Sequence, residues 1–86
     1  MSDLEELFSR AQDEAYQLSE RPSNKNMLKM YGLFKQATVG DAIGKRPGIL
    51  DVKGRAKYDA WYGYCGMQGN NAKQAYIDLV NELKQG

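Results

Sequence analysis

No histidine occurs in this chain of 86 residues, and cysteine occurs once, at Cys65. The usual general base of nucleophilic triads is therefore missing, as is any Cys/His zinc set, and a lone thiol cannot close an internal disulfide. No run of sequence approaches the roughly 18 apolar residues that a bilayer span needs, and neither end carries a lipidation motif. Twelve basic against eleven acidic side chains leave a formal charge of +1. No global field then draws the protein toward nucleic acid or an anionic membrane, and any bound anion must be held by a local cluster. The opening Met1-Ser2-Asp3-Leu4-Glu5-Glu6 is acidic where a secretory signal needs a positive flank and an apolar run, so the cytoplasm is the expected compartment.

What is present fits one globular unit. Hydrophobic residues make up 42% and charged residues 27%, and a chain of this size is expected to form one domain over residues 1–86, with no room for a second, catalytic one. Leu4, Leu7, Phe8, Ala11, Ala15 and Leu18 recur at helical spacing and predict a first helix from about Leu4 to Ser19, with Ser2 and Glu5 offering a capping box. Arg21-Pro22 stops it, and Ser23 is placed to cap the next.

The second segment, about Asn24 to Val39, carries apolar residues on more than one face, which predicts two burial partners. Met27, Met30 and Phe34 share one stripe, with Leu28, Tyr31 and Lys35 beside it. Gly40 can close this helix in the left-handed conformation. Residues 40–50, with Gly44 and Pro47-Gly48, predict an ordered loop. Asp51 is placed to cap a shorter helix to about Tyr62, and Gly63, Gly66 and Gly69 mark a second break. Ala72, Ala75, Tyr76, Leu79, Val80 and Leu83 then define the cleanest amphipathic helix, about Asn71 to Gln85. With no strand alternation, the expectation is all-α, a four-helix bundle.

Candidate chemistry is sparse. Glu5, Glu6, Asp13, Glu14 and Glu82 fall on polar helix faces, where solvation outweighs an active site. The glycines match neither a P-loop nor a dinucleotide fingerprint. Lys35 follows Tyr31 by one helical turn, which sets a cation beside an aromatic ring; from spacing alone an exposed lysine covering a core tyrosine is the commoner arrangement. Lys53 and Lys57 also lie one turn apart, and a bound anion would relieve their mild repulsion, although a solvated basic face is again commoner. The Tyr76 hydroxyl needs a partner, either a polar core group or a ligand. Trp61 and the four methionines are expected in the core, and Cys65 is expected to be incidental. The residues by themselves thus describe a helical bundle whose lysines and tyrosines suit a phosphorylated, partly apolar ligand.

The linked segments Lys35-Gln36-Ala37-Thr38-Val39-Gly40-Asp41, Arg46-Pro47-Gly48, Asp51-x-Lys53-Gly54-x-Ala56-Lys57-x-Asp59-Ala60-Trp61 and Ala75-Tyr76-Ile77 resemble the acyl-CoA-binding protein family, in register over nearly the whole chain. The resemblance implies a four-helix bundle with a shallow bowl, in which the CoA head group covers the acyl chain. It implies ligand contacts from Tyr31, Lys35, Lys53, Lys57 and Tyr76, the lysines meeting phosphates and chiefly the ribose 3′-phosphate, with Gly32, Leu33 and Phe34 lining the site.

Four departures from the family pattern stand out. Phe34 occupies a place where the family usually has tyrosine near the adenine, which keeps stacking but loses a hydroxyl. Tyr16 stands where a lysine is common, so an aromatic contact would replace a cationic one. Tyr58 replaces a frequent tryptophan, and Gln68-Gly69-Asn70-Asn71 lacks a good helix cap.

The implied function is non-catalytic binding and delivery of long-chain acyl-CoA such as palmitoyl-CoA, by a cytoplasmic monomer without a cofactor. An enzyme acting on the thioester is a competing class, disfavoured by the missing histidine and activated nucleophile. An interaction bundle that binds no ligand is a third, and it predicts no thermal stabilisation by acyl-CoA.

Overall fold

The computed structural model describes residues 3–85, which form four helices: α1 (Leu4–Tyr16), α2 (Asn24–Thr38), α3 (Val52–Tyr62) and α4 (Gly69–Gln85). Each of the first three opens on a side chain that accepts a hydrogen bond from an otherwise unpaired backbone N–H. Asp3 receives Glu6 N–H at 2.8 Å, Ser23 receives Asn26 N–H at 3.1 Å and Asp51 receives Gly54 N–H at 3.0 Å. The Ser2 half of the expected capping box lies outside the described residues. Among the described residues no side chain caps α4, whose backbone ladder begins with Ala72 N–H on the Gln68 carbonyl at 3.0 Å, as the ladders of the other helices begin on their capping residues.

Helix α1 ends three residues earlier than its periodicity predicts. Gln17 N–H bonds to the Glu14 carbonyl at 3.0 Å, a tightened last turn, and the chain then leaves the helix toward Pro22. Helix α2 closes as expected, with Gly40 at φ +103° and its N–H on the Lys35 carbonyl.

Across the molecule the helices run in the order α1, α4, α2, α3, within a slab of 43 × 28 × 15 Å. Helix α4 packs on α1 and α2, and α2 packs on α4 and α3. The two partners predicted from the breadth of the α2 apolar surface are these. The core joins Phe8 and Ala11 of α1 to Leu33 of α2 and to Tyr76, Ile77, Leu79 and Val80 of α4. Lys73–Glu5 and Lys84–Glu14 ion pairs link α4 to α1 at the surface. Two of the carboxylates expected on solvated faces are thus paired, though exposed pairs of this kind contribute little.

The α2–α3 loop is ordered by contacts that its sequence does not advertise. Asp41 accepts from Gly66 N–H at 2.8 Å and from the buried Gln36 amide at 2.9 Å; the same amide also donates to the Met67 carbonyl at 2.8 Å. Tyr58 donates to the Gly44 carbonyl at 3.1 Å. Arg46 forks onto Asp59 at 2.8 and 2.6 Å, so the hydrogen bonds hold the Asp59 carboxyl below its ordinary range.

Candidate functional site

Although consecutive in sequence, α1 and α2 do not pack backbone to backbone. Both lean on α4, where Phe8 of α1 meets Tyr76 edge-on at 5.3 Å, and side chains cross the gap between them: the Phe8 and Phe34 rings stack at 6.1 Å between centroids. The divergence opens a groove of about 370 Å³. One wall is Gln12, Ala15 and Tyr16 of α1, the other is Met27, Met30, Tyr31 and Phe34 of α2, and Tyr76 of α4 contributes from below. Tyr76 is only 6% exposed, and its hydroxyl bonds to no described residue. Burial first, and Tyr16 second, raise its pKa, so it stays a neutral donor. Tyr16, 92% exposed, forms the rim.

Beside this groove the seam between α2 and α3 carries the cations. Sequence spacing paired Lys35 with Tyr31 on one helix; the fold crosses the pairs between helices. Lys35 Nζ lies 4.8 Å from the Trp61 ring centroid, and Lys57 Nζ lies 5.4 Å from that of Tyr31. Neither lysine, nor Lys53, makes an ion pair with a described residue. An ammonium on an aromatic face is held in place while its charge stays unneutralised by any carboxylate, which leaves it free for an anion. Lys53 stands one turn before Lys57 in the first turn of α3, where the helix dipole slightly disfavours a cation.

A second groove, about 400 Å³, lies between α2 and α3 one helical turn from the Tyr31–Lys57 pair along both helices. Leu28, Ala60, Gly63 and Tyr64 line it, with Lys25 and Lys29 on its edge.

Of the residues expected at the site, Tyr16, Tyr31, Phe34 and Tyr76 therefore line the first groove, and Lys35 and Lys57 each lie on a ring of the adjoining seam. Lys53 lies in neither groove. Gly32 and Leu33 stand elsewhere: Leu33 is 5% exposed in the core, and Gly32 packs so closely on α3 that an added Cβ would fall 2.7 Å from the Ala60 carbonyl oxygen. A helix turns each residue by 100°, so a contiguous run cannot all face one site.

One expectation of core placement is corrected, that of Met27. Met27 is exposed on the groove wall, whereas Met30 lines the groove and also packs on the core, as Met67 does; Met1 lies outside the described residues. Trp61 is buried as expected, to one side of the main core cluster, with Lys35 above its ring and its Nε1–H on the Gly40 carbonyl at 2.7 Å. The Met27–Met30–Phe34 stripe was the available signal for the groove wall. Nothing in the sequence told that stripe from a core face, because it is apolar whichever way it points. Among the described residues no group of three His, Cys, Asp or Glu could hold a metal ion, and no helix is long and apolar enough to cross a membrane.

Residues 5–80 match the family model described as Acyl CoA binding protein. The chain is 44% identical over 81 residues to an acyl-CoA-binding protein homolog of Manduca sexta, covering 93% of this chain and 90% of the relative. It is 42% identical over 80 residues to a homolog of the same description from Drosophila melanogaster, covering 93% of each. The crystal structure of Oryza sativa Acyl-CoA-Binding Protein 2 superposes with a TM-score of 0.91 at 40% identity, over 95% of this chain and 89% of that one.

Proposed function

The chain belongs to the acyl-CoA-binding protein family, and on that premise we propose that it binds one long-chain acyl-CoA, such as palmitoyl-CoA, and carries it in the cytoplasm as a monomer without altering it. The observation that carries this reading is the crossed lysine–aromatic seam lying between two grooves of different character. Each groove is near the lower end of the roughly 300–1,000 Å³ usual for ligand pockets, and an acyl-CoA has two dissimilar ends to place.

The aromatic groove suits the purine, which can stack on Tyr31 or Phe34 with the Tyr76 hydroxyl as a polar contact. Lys35 and Lys57 suit the ribose phosphate, with Lys53 behind them. The aliphatic floor at Leu28 and Ala60 suits the acyl chain, and Lys25 and Lys29 can cover the acidic linker between the two ends. Thioester cleavage would need a nucleophile and a base, and the residues here supply contacts only.

Calorimetric titration with CoA and with its octanoyl, dodecanoyl and palmitoyl esters, below their micelle thresholds, tests the reading. Palmitoyl-CoA should bind one to one and release no thiol. Each added methylene contributes up to about 0.8 kcal/mol until the groove is outgrown. Phe34→Ala should weaken CoA and its esters alike, whereas Leu28→Ala should weaken only the esters. Equal affinity for CoA and palmitoyl-CoA would rule out the carrier role.

A further inference from the structure

Four aliphatic side chains between the end of α2 and the first turn of α3 face solvent: Ile43, Ile49, Leu50 and Val52 are 68%, 76%, 95% and 71% exposed. Scattered exposed aliphatics are ordinary, but four within residues 43–52 are a local concentration that folding leaves unburied. The segment displaying them is fastened from beneath at Gly40, Asp41, Gly44 and Arg46 by Trp61, Gly66, Tyr58 and Asp59. At its tip the Asp51 N–H bonds to the Gly48 carbonyl at 3.0 Å, closing a turn whose two central residues are Ile49 and Leu50. A rigid turn that holds two bare aliphatics outward loses little conformational entropy when it meets an apolar phase.

The charge around the turn narrows the choice of partner. Residues 43–57 contain Lys45, Arg46, Lys53, Arg55 and Lys57 against a single carboxylate, Asp51. Arg46 is taken up by Asp59, and Lys45 and Lys53 pair with no described residue. A second copy docked through this face would bring like charges together. An acidic protein surface would answer the lysines and leave Ile49 and Leu50 in search of an apolar pocket. Anionic bilayers offer both at once, with lipid phosphates at headgroup level and hydrocarbon just below.

We propose that the turn at residues 48–51 docks the protein peripherally on anionic phospholipid bilayers, with Ile49 and Leu50 entering the interface and Lys45 meeting the headgroups. Docking does not depend on what fills the grooves. One consequence does rest on the acyl-CoA reading: Lys53 and Lys57 follow this turn directly, so a docked molecule would hold its phosphate-binding lysines near the surface into which an amphiphilic ligand partitions.

Co-sedimentation of the ligand-free protein with large unilamellar vesicles at low ionic strength tests the docking itself. Vesicles of phosphatidylcholine with about a third phosphatidylserine should retain the wild type, and phosphatidylcholine alone should retain much less. The I49S/L50S variant should partition about tenfold more weakly or worse, and Lys45→Glu several-fold more weakly. Both change exposed residues outside the grooves, so melting temperature and palmitoyl-CoA affinity without vesicles should stay at wild-type values. A Leu50→Trp variant should be quenched by brominated lipid. Failure of the wild type to bind anionic vesicles, unchanged partitioning of I49S/L50S, or equal binding to both vesicle types would overturn the proposal. So would a dimer in sedimentation velocity that I49S/L50S abolishes, since a second copy would then be what covers the patch.

Discussion

Lys57 Nζ of α3 rests 5.4 Å from the centre of the Tyr31 ring of α2, so this cation, unpaired among the described residues, is held by the helix opposite its own. Lys35 does the reverse, reaching from α2 to Trp61 of α3. The seam and the charge proposed to bind phosphate are thus one arrangement, and weakening either should be felt in the other.

Replacing Lys57 or Lys35 by alanine should weaken palmitoyl-CoA binding by about 1–3 kcal/mol, the range for hydrogen bonds to charged groups. Wild-type affinity should fall as salt rises, and more steeply than in either variant. With 3′-dephospho-acyl-CoA the Lys57→Ala penalty should shrink, because the two changes remove the same interaction. Calorimetry on the four combinations of protein and ligand checks this, and additive losses would place the ribose phosphate elsewhere.

Tyr76→Phe should separate binding from folding. Its hydroxyl has no partner among the described residues, while its ring fills the core beside Phe8. Melting temperature should therefore hold, and ligand affinity should fall by about 0.5–1.5 kcal/mol. A variant that binds normally would show that the hydroxyl faces water in the complex as well.

Gly32→Ala should destabilise the protein although alanine is the better helix former. Helix propensity favours the change by about 1 kcal/mol. The new Cβ, however, would sit 2.7 Å from a backbone carbonyl oxygen of Ala60 and 2.8 Å from the Tyr64 ring, and backbone cannot rotate aside. Overpacking of this kind costs about 1–3 kcal/mol, so a net loss is expected. Urea denaturation measures it. Binding should fall as well, because spreading α2 from α3 separates Lys57 from Tyr31.

Acid should loosen the α2–α3 loop first. Hydrogen bonds from Gly66 and then Gln36 lower the Asp41 pKa, and Arg46 lowers that of Asp59. A depressed carboxylate stabilises the fold fully above its unfolded pKa, and the contribution is lost as pH falls through the lower, folded value. The melting temperature of the wild type should exceed that of Asp41→Ala at neutral pH, and the gap should close below the ordinary carboxylate range. A difference that does not vary with pH would remove Asp41 from this role.

The sequence by itself determined which segments are helical and where most of them stop. Caps such as Ser23 and Asp51, the proline at Pro22 and the periodicity of Leu79, Val80 and Leu83 act within a few residues of chain, so they are legible without tertiary context. It also brought Tyr31, Lys35, Lys57 and Tyr76 forward as a set. Only the tertiary structure decided which way they face. Leu33 and Phe34 are neighbours in sequence, yet one fills the core and the other walls the groove, because the order α1, α4, α2, α3 gives α2 a buried side, a seam and an open side. Likewise the groove exists because α1 and α2 both lean on α4 rather than on each other, and the partner of each lysine ring contact lies on the opposite helix. Those are relations between distant segments, set by packing, and no local pattern of residues encodes them.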